Sequence, residues 1–202
     1  MNENENPYAA PAGDGIDDHA RGNAGEARAE FYVVSLPKFY LLASTTFGLY
    51  KLYWFYAQFR DRRRDGVKIY AALAAFFSVF TAHSLFRSVD LEAQAAGLPA
   101  SPRATNQTVP YIVLAVLVGV VRALGKQSLA LSAAGLGVSV LSAMPLARVQ
   151  GIVNRTARDP QGHQNSKFSA LNIVTIALGV ALNVAGLVGI ALGSHGLDPE
   201  SH

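Results

Sequence analysis

The sequence predicts an all-α protein: a polytopic transmembrane helical bundle of four or five spans behind a disordered N-terminal tail. Three observations carry that expectation. The runs Ser128 to Leu146 and Phe168 to Leu192 contain no charged residue, and each matches the roughly 20 apolar residues that cross a bilayer core. Half of the 202 residues are hydrophobic and only 15% are charged, against about 25% in an ordinary soluble domain. The mean hydropathy is +0.22.

Residues 1–30 form the predicted tail. Seven acids stand against Arg21 and Arg28, a net charge of −5, so the rest of the chain is +8. The segment has neither the basic start nor the apolar stretch of a signal peptide, and its Asn, Gly, Ala and acid content fits disorder. The membrane domain is placed at 31–193 and a short polar tail at 194–202.

The first apolar segment runs from Phe31 to Phe59. Pro37 suits a helix start, and Gly48 marks a kink or an end. Lys51, Tyr53, Trp54 and Tyr56 are expected to anchor the chain at the headgroup level, where aromatic rings and snorkelling lysines collect. Arg60, Arg62, Arg63, Arg64 and Lys68 follow at once. They are candidates for orientation and for contact with anionic headgroups.

The second segment, 69–86, is either a short span or a helix lying in the interface. Phe76, Phe80, His83 and Arg87 recur at helical spacing on one face. His83 and Arg87 form a candidate polar pair for a lipid phosphate or a proton relay; the plainer reading is a polar stripe on an interfacial helix.

The third segment, Val109 to Leu124, closes with Arg122, which can snorkel. The link Gly125-Lys126-Gln127 implies a helical hairpin with the fourth. Small residues there (Ala133, Gly135, Gly137, Ser139, Ser142) suit close helix contact. A polar loop is expected from Arg148 to Lys167, as a docking surface that includes Asn154, Asn165 and Phe168.

In the fifth segment Asn172 and Asn183 are eleven residues apart and share a face. That face either lines a solute path or supplies interhelical hydrogen bonds. The positive-inside rule favours the arrangement in which 69–86 lies flat. Both basic loops are then cytoplasmic, with the acidic tail and the Arg122–Lys126 turn outside.

Several strings resemble a bacterial membrane family known as domain of unknown function 4234: Phe31-Tyr-Val-Val-Ser35 with Lys38, Thr46-Phe-Gly-Leu-Tyr50, Tyr53-Trp-Phe-Tyr56, His83-Ser-Leu-Phe-Arg87, Val149-Gln150 with Val153-Asn154-Arg155, and Asn165-Ser-Lys-Phe-Ser169 with Asn172 and Gly179. The similarity covers about residues 31–190. Gln58-Phe59 departs from an Asn-Trp pair, and Ala147-Arg148 interrupts a Pro-Val-Gln string. The resemblance implies a multi-pass protein of the bacterial inner membrane and no particular activity.

No cysteine is present, which excludes disulfides, thiolate metal sites and cysteine nucleophiles. The histidines have no ligand spacing, and no phosphate-binding glycine loop, zinc-protease helix or nucleophile elbow occurs. The sequence therefore predicts no catalytic residue, metal or cofactor, and no nucleic-acid partner. The leading expectation is a non-enzymatic module that binds anionic membrane lipid, a membrane-protein partner or a second copy of itself. The alternative is a small transporter or channel subunit using the Asn172/Asn183 face.

Overall fold

The computed structural model describes residues 31–62, 70–99, 102–124 and 129–195. The predicted acidic tail, Arg63, Arg64, Lys68 and the last residues lie outside them, as do the side chains of Asp61, Arg62 and residues 193–195. The described residues form eight α-helices and two short 3₁₀ turns. These are α1 (Leu36–Thr45), α2 (Leu49–Arg62), α3 (Ala71–Phe76), α4 (Ser78–Ala95), α5 (Thr108–Leu124), α6 (Leu129–Leu141), α7 (Met144–Thr156) and α8 (Ala170–His195).

Three stretches are long and apolar enough to cross a membrane: Ala104–Leu124, Leu129–Thr156 and Ala170–Leu192. The third, fourth and fifth apolar segments are thus spans by length and composition. The fourth extends further than expected. Pro145 does not end it, because proline is tolerated in the first turn of a helix, where its missing N–H costs nothing. The chain turns at Ser142–Ala143 and continues as α7 to Thr156. The first nine residues of the expected polar loop, Arg148 to Thr156, are therefore helix, with Val149, Gln150, Ile152, Val153 and Asn154 buried.

The first segment is not among these candidate spans. It folds back on itself as α1 and α2, and its two ends meet: the Tyr32 amide donates to Gln58 Oε1 at 3.2 Å. The turn has a local cause. Phe47 and Gly48 take positive φ values of 54° and 91°, the region glycine enters freely and phenylalanine rarely does. Thr46 joins the two helices across it. Its hydroxyl donates to the Leu42 carbonyl at 2.8 Å and accepts from the Tyr50 amide at 3.0 Å. With ten residues, α1 is about 15 Å long, half the thickness of a bilayer core.

The tip of this hairpin is fitted against two spans. A Cβ added to Gly179 of α8 would lie 2.2 Å from the Thr45 carbonyl oxygen, so only glycine permits that approach. Asn183 Nδ2 donates to the Gly179 carbonyl at 2.7 Å and, more weakly, to Thr45 at 3.4 Å. On the other side Arg122 stacks over the Phe47 ring at 5.4 Å and donates to the Phe47 carbonyl at 3.3 Å. Arg122 thus engages the tip, where the sequence suggested snorkelling.

The second segment also breaks. Phe77 separates α3 from α4, and Thr81 Oγ1 donates to the Ala74 carbonyl left over by the break, at 2.7 Å. Neither half is a candidate span. Around this break Leu73, Phe76, Phe77 and Phe80 are exposed. The helix α4 ends in a Schellman arrangement: Gly97 has φ 75° and the Leu98 amide donates to Ala93, satisfying a terminal carbonyl. Asp90, near that end, accepts from the amides of Ala104 and Thr105, placing a carboxylate at the start of the next helical stretch.

The core is aromatic and lies between α2, α4, α5 and α7. Trp54, Phe55, Phe59 and Phe86 are fully buried, and Phe55 stacks against both Phe59 and Phe86. The outer faces of α5, α6 and α8 are exposed and apolar, as in Val113, Val116, Leu131, Leu171, Val174 and Leu178. In a bilayer such faces need no cover, since lipid tails are as apolar as the side chains.

Candidate functional site

The unusual element is the extended stretch Phe31–Ser35, which precedes α1 and is largely buried. An extended chain inside a helical bundle has no neighbouring strand, yet buried main-chain groups need partners. Four amide side chains supply most of them. Gln58 accepts from the Tyr32 amide and donates to the Tyr32 carbonyl at 3.1 Å. Gln150 Nε2 donates to the same carbonyl at 3.0 Å and to Asn154 Oδ1 at 2.7 Å. Asn154 donates to the Val34 carbonyl at 2.9 Å, and Asn165 to the Val33 carbonyl at 3.2 Å. Gln150 Oε1 in turn accepts from the Trp54 indole and from Gln58.

Asn165 extends this network to a cation. Its Oδ1 accepts from Lys38 Nζ at 2.6 Å, and its Nδ2 donates to the Tyr32 hydroxyl at 2.8 Å. Lys38 also donates to the Lys167 carbonyl at 2.7 Å and lies 5.9 Å from the centre of the Phe168 ring. Lys38 is only 5% exposed, and its described partners are neutral.

The turn that carries Asn165 is held by Asp159, whose carboxylate accepts from the amides of His163 and Gln164, both at 2.9 Å. These amide bonds, that from Gln164 foremost, hold the Asp159 carboxyl below the usual aspartate value. Gly162 lies against the extended stretch: an added Cβ would meet Ser35 N at 2.5 Å and the Val34 carbonyl at 2.6 Å.

A cavity of about 520 Å³ opens beside this network. Lys38, Tyr32, Tyr50, Tyr53 and Asn165 form its polar side, and Leu49 and Leu171 line it as well. The Tyr50 hydroxyl is buried, with the Tyr32 hydroxyl beside it.

The sequence-predicted residues are placed as follows. Trp54, expected at the headgroup level, is fully buried inside the bundle and bonded to Gln150. Lys51 turns inward, donating to the Ser139 carbonyl at 3.0 Å and to the Ser142 hydroxyl. There it caps the C-terminal end of α6, where carbonyls face a cation favourably. Tyr53 and Tyr56 are partly exposed, and Arg60 lies over the Tyr56 ring at 5.9 Å. His83 and Arg87 are exposed one turn apart on α4.

Asn172 and Asn183 do share the side of α8 that faces α1 and α2, but each has a separate task. Asn172 forms a reciprocal cap with Ser169 through two bonds of 3.2 Å, an arrangement that starts a helix. Asn183 ties Gly179 and Thr45. Asn154 and Asn165, expected on a free docking loop, are instead consumed by the extended stretch. Gln58 and Lys38 carried no site expectation at all. Their one signal in the sequence is a polar residue inside an otherwise apolar segment. Among the described residues no group of acidic or histidine side chains is placed to hold a metal ion. No family model matches this chain, and no curated protein or solved structure is similar to it at a level that would show a family or a fold.

Proposed function

We propose that the protein is a non-enzymatic, three-span module of the bacterial inner membrane that binds anionic lipid at its cytoplasmic end. The observation that carries this reading is the gathering of basic residues at one end of the bundle. Arg148 of α7 reaches Gln107 at the start of α5, and Arg103 and Arg155 line one shallow cavity with Asp90. Arg60, Arg158 and Lys167 belong to the same end, because Gln58 and Asn165 both close on Tyr32–Ser35. The opposite end has Arg122, beside the hairpin tip at Phe47. An excess of this kind favours the cytoplasmic side and attracts acidic headgroups at about 1 kcal/mol per base. The resemblance to the domain of unknown function 4234 family belongs to the same proposal.

The transporter reading has less support, since Asn172 and Asn183 are each occupied in helix capping and packing. The test is thermal denaturation of the purified protein in uncharged detergent, with added phosphatidylglycerol or phosphatidylcholine. Phosphatidylglycerol is expected to raise the apparent Tm more. Replacing Arg148, Arg155 and Arg158 by Gln should shrink that difference. Equal effects of the two lipids on the native chain would refute the reading.

A further inference from the structure

We infer that the acidic segment 1–30 docks on the basic end of the bundle and competes there with anionic headgroups. The competition rests on the lipid reading proposed above; the docking rests on where the chain enters the fold and on its charge.

The entry point is fixed. Phe31 is buried in the core. The main chain just after it is held from three sides: by Gln58 of α2, by Gln150 and Asn154 of α7, and by Asn165 of the turn before α8. Each holder has an exposed base close by in the chain. Arg60 follows Gln58, Arg148 precedes Gln150, Arg155 adjoins Asn154 and Lys167 follows Asn165. The sequence expectation set the acidic segment across the membrane from the basic loops. The folding back of the first segment brings Phe31 to their end instead, since Gln58 closes on Tyr32.

The charges are complementary. Segment 1–30 has a net charge of −5. At the basic end Arg60, Arg103, Arg148, Arg155, Arg158 and Lys167 are exposed. The carboxylates of Asp90 and Asp159 are buried and turned to main-chain amides. Glu92 is the one further acid among the described side chains. An anion drawn to this end thus meets little competition from the folded domain, and segment 1–30 is the anion tethered there.

Reach is ample. Asp14, Asp17, Asp18, Glu26 and Glu30 all lie within 17 residues of Phe31. An extended chain covers up to about 3.5 Å per residue, and a helix with its side chains is about 10–12 Å across, so these acids can span several helix ends. Tethering makes the contact intramolecular, with an effective concentration in the millimolar range. Single surface ion pairs are weak; several made together on one tethered segment hold the bases in a neutral bilayer and release them to a strongly anionic one.

The test uses the full chain, which has no cysteine of its own. Cysteines placed at Ala20 and Gln164 would be joined by a short bismaleimide in uncharged detergent. Cross-linking should be efficient at low salt and should fall at about 1 M salt, where the screening length is about 3 Å. Phosphatidylglycerol should lower it and phosphatidylcholine should not. A second chain carries Asp14→Asn, Asp17→Asn, Asp18→Asn, Glu26→Gln and Glu30→Gln. It should cross-link poorly and bind phosphatidylglycerol about tenfold more tightly than the native chain at low salt, the scale of one or two released bases.

Equal cross-linking of the two chains at low salt would overturn the docking and leave the lipid reading intact. Equal phosphatidylglycerol affinity in the two chains, with docking present, would overturn the competition. If neither chain prefers phosphatidylglycerol to phosphatidylcholine, the lipid reading falls and the competition with it, and the cross-linking alone decides the docking.

Discussion

Gln150 and the main chain of Tyr32 are joined by a hydrogen bond of 3.0 Å across 118 residues. The same side chain accepts from Trp54 and donates to Asn154. Replacing it by leucine leaves the Trp54 indole N–H and Asn154 Oδ1 without those bonds in a buried place. Each orphaned group costs roughly 1–3 kcal/mol, so Gln150→Leu should lower the apparent Tm strongly. Gln58→Leu should do the same by freeing the Tyr32 amide. Because the two glutamines bond to each other and to one carbonyl, the double variant should lose less than the two single losses combined. A double-mutant cycle in detergent checks this; strict additivity would show that the amide groups act separately.

Gly162 is fixed by its surroundings rather than by its own turn alone. It combines φ 68° with a Cβ position 2.5 Å from the Ser35 nitrogen. Alanine there faces a backbone cost of about 1–2 kcal/mol and must also push the extended stretch aside. Gly162→Ala should therefore destabilise by several degrees or more and loosen the Lys38–Asn165 contact. Gly151→Ala is the control: nothing lies within 4 Å of the added methyl, and alanine is the better helix former by about 1 kcal/mol. Equal Tm values for the two variants would contradict the close approach.

The fold places 94, 164 and the ends of the first hairpin together, and Leu124 and Leu129 at the opposite end. The chain lacks cysteine, so single cysteines report accessibility without a background. At Gln94 and Gln164, which are exposed, an impermeant maleimide should label only after lysis. At Leu129, exposed at the start of α6, it should label intact spheroplasts. Labelling of position 94 or 164 in intact cells would reverse the proposed orientation.

Asp159 gives a pH dependence whose sign follows from its lowered pKa. Its carboxylate form is favoured in the folded chain by the amides of Gln164 and His163. The stabilisation is complete above the ordinary aspartate pKa of about 3.9. It is lost as the pH falls through the lower folded value. Asp159→Asn should flatten the acid limb of a Tm–pH profile for the 159–165 turn. An unchanged limb would mean that this carboxylate does not hold the turn.

Sequence reasoning located the three spans because their signal is local: about 20 uncharged residues in a row. It also marked Gly48, whose conformational freedom permits the turn of the first hairpin. It could not see that this segment returns to its starting end, since that is decided by Gln58 meeting Tyr32. The aromatic and basic string of α2 has the composition of a membrane boundary, but its register turns Trp54, Phe55 and Phe59 inward. The fourth apolar run closes beside Pro145, and because proline occurs at both helix starts and helix stops, the continuation as α7 had no local signal. The amide clamp was hidden for another reason. Gln58, Gln150, Asn154 and Asn165 are ordinary polar residues singly, and their meaning comes from partners up to 133 residues away.

The clamp around Phe31–Ser35 also sets an order in time. The stretch is among the earliest parts of the described protein to be synthesised, and three of its four amide partners come from residues 150–165. At about 5–20 residues per second, on the order of ten seconds separate the two. Until then the first hairpin has a turn, a tip and one glutamine, but no seat. The last loop before α8 is thus the latch of assembly, and a nascent chain stopped short of Asn165 should remain open to proteases and chaperones at its N-terminal end.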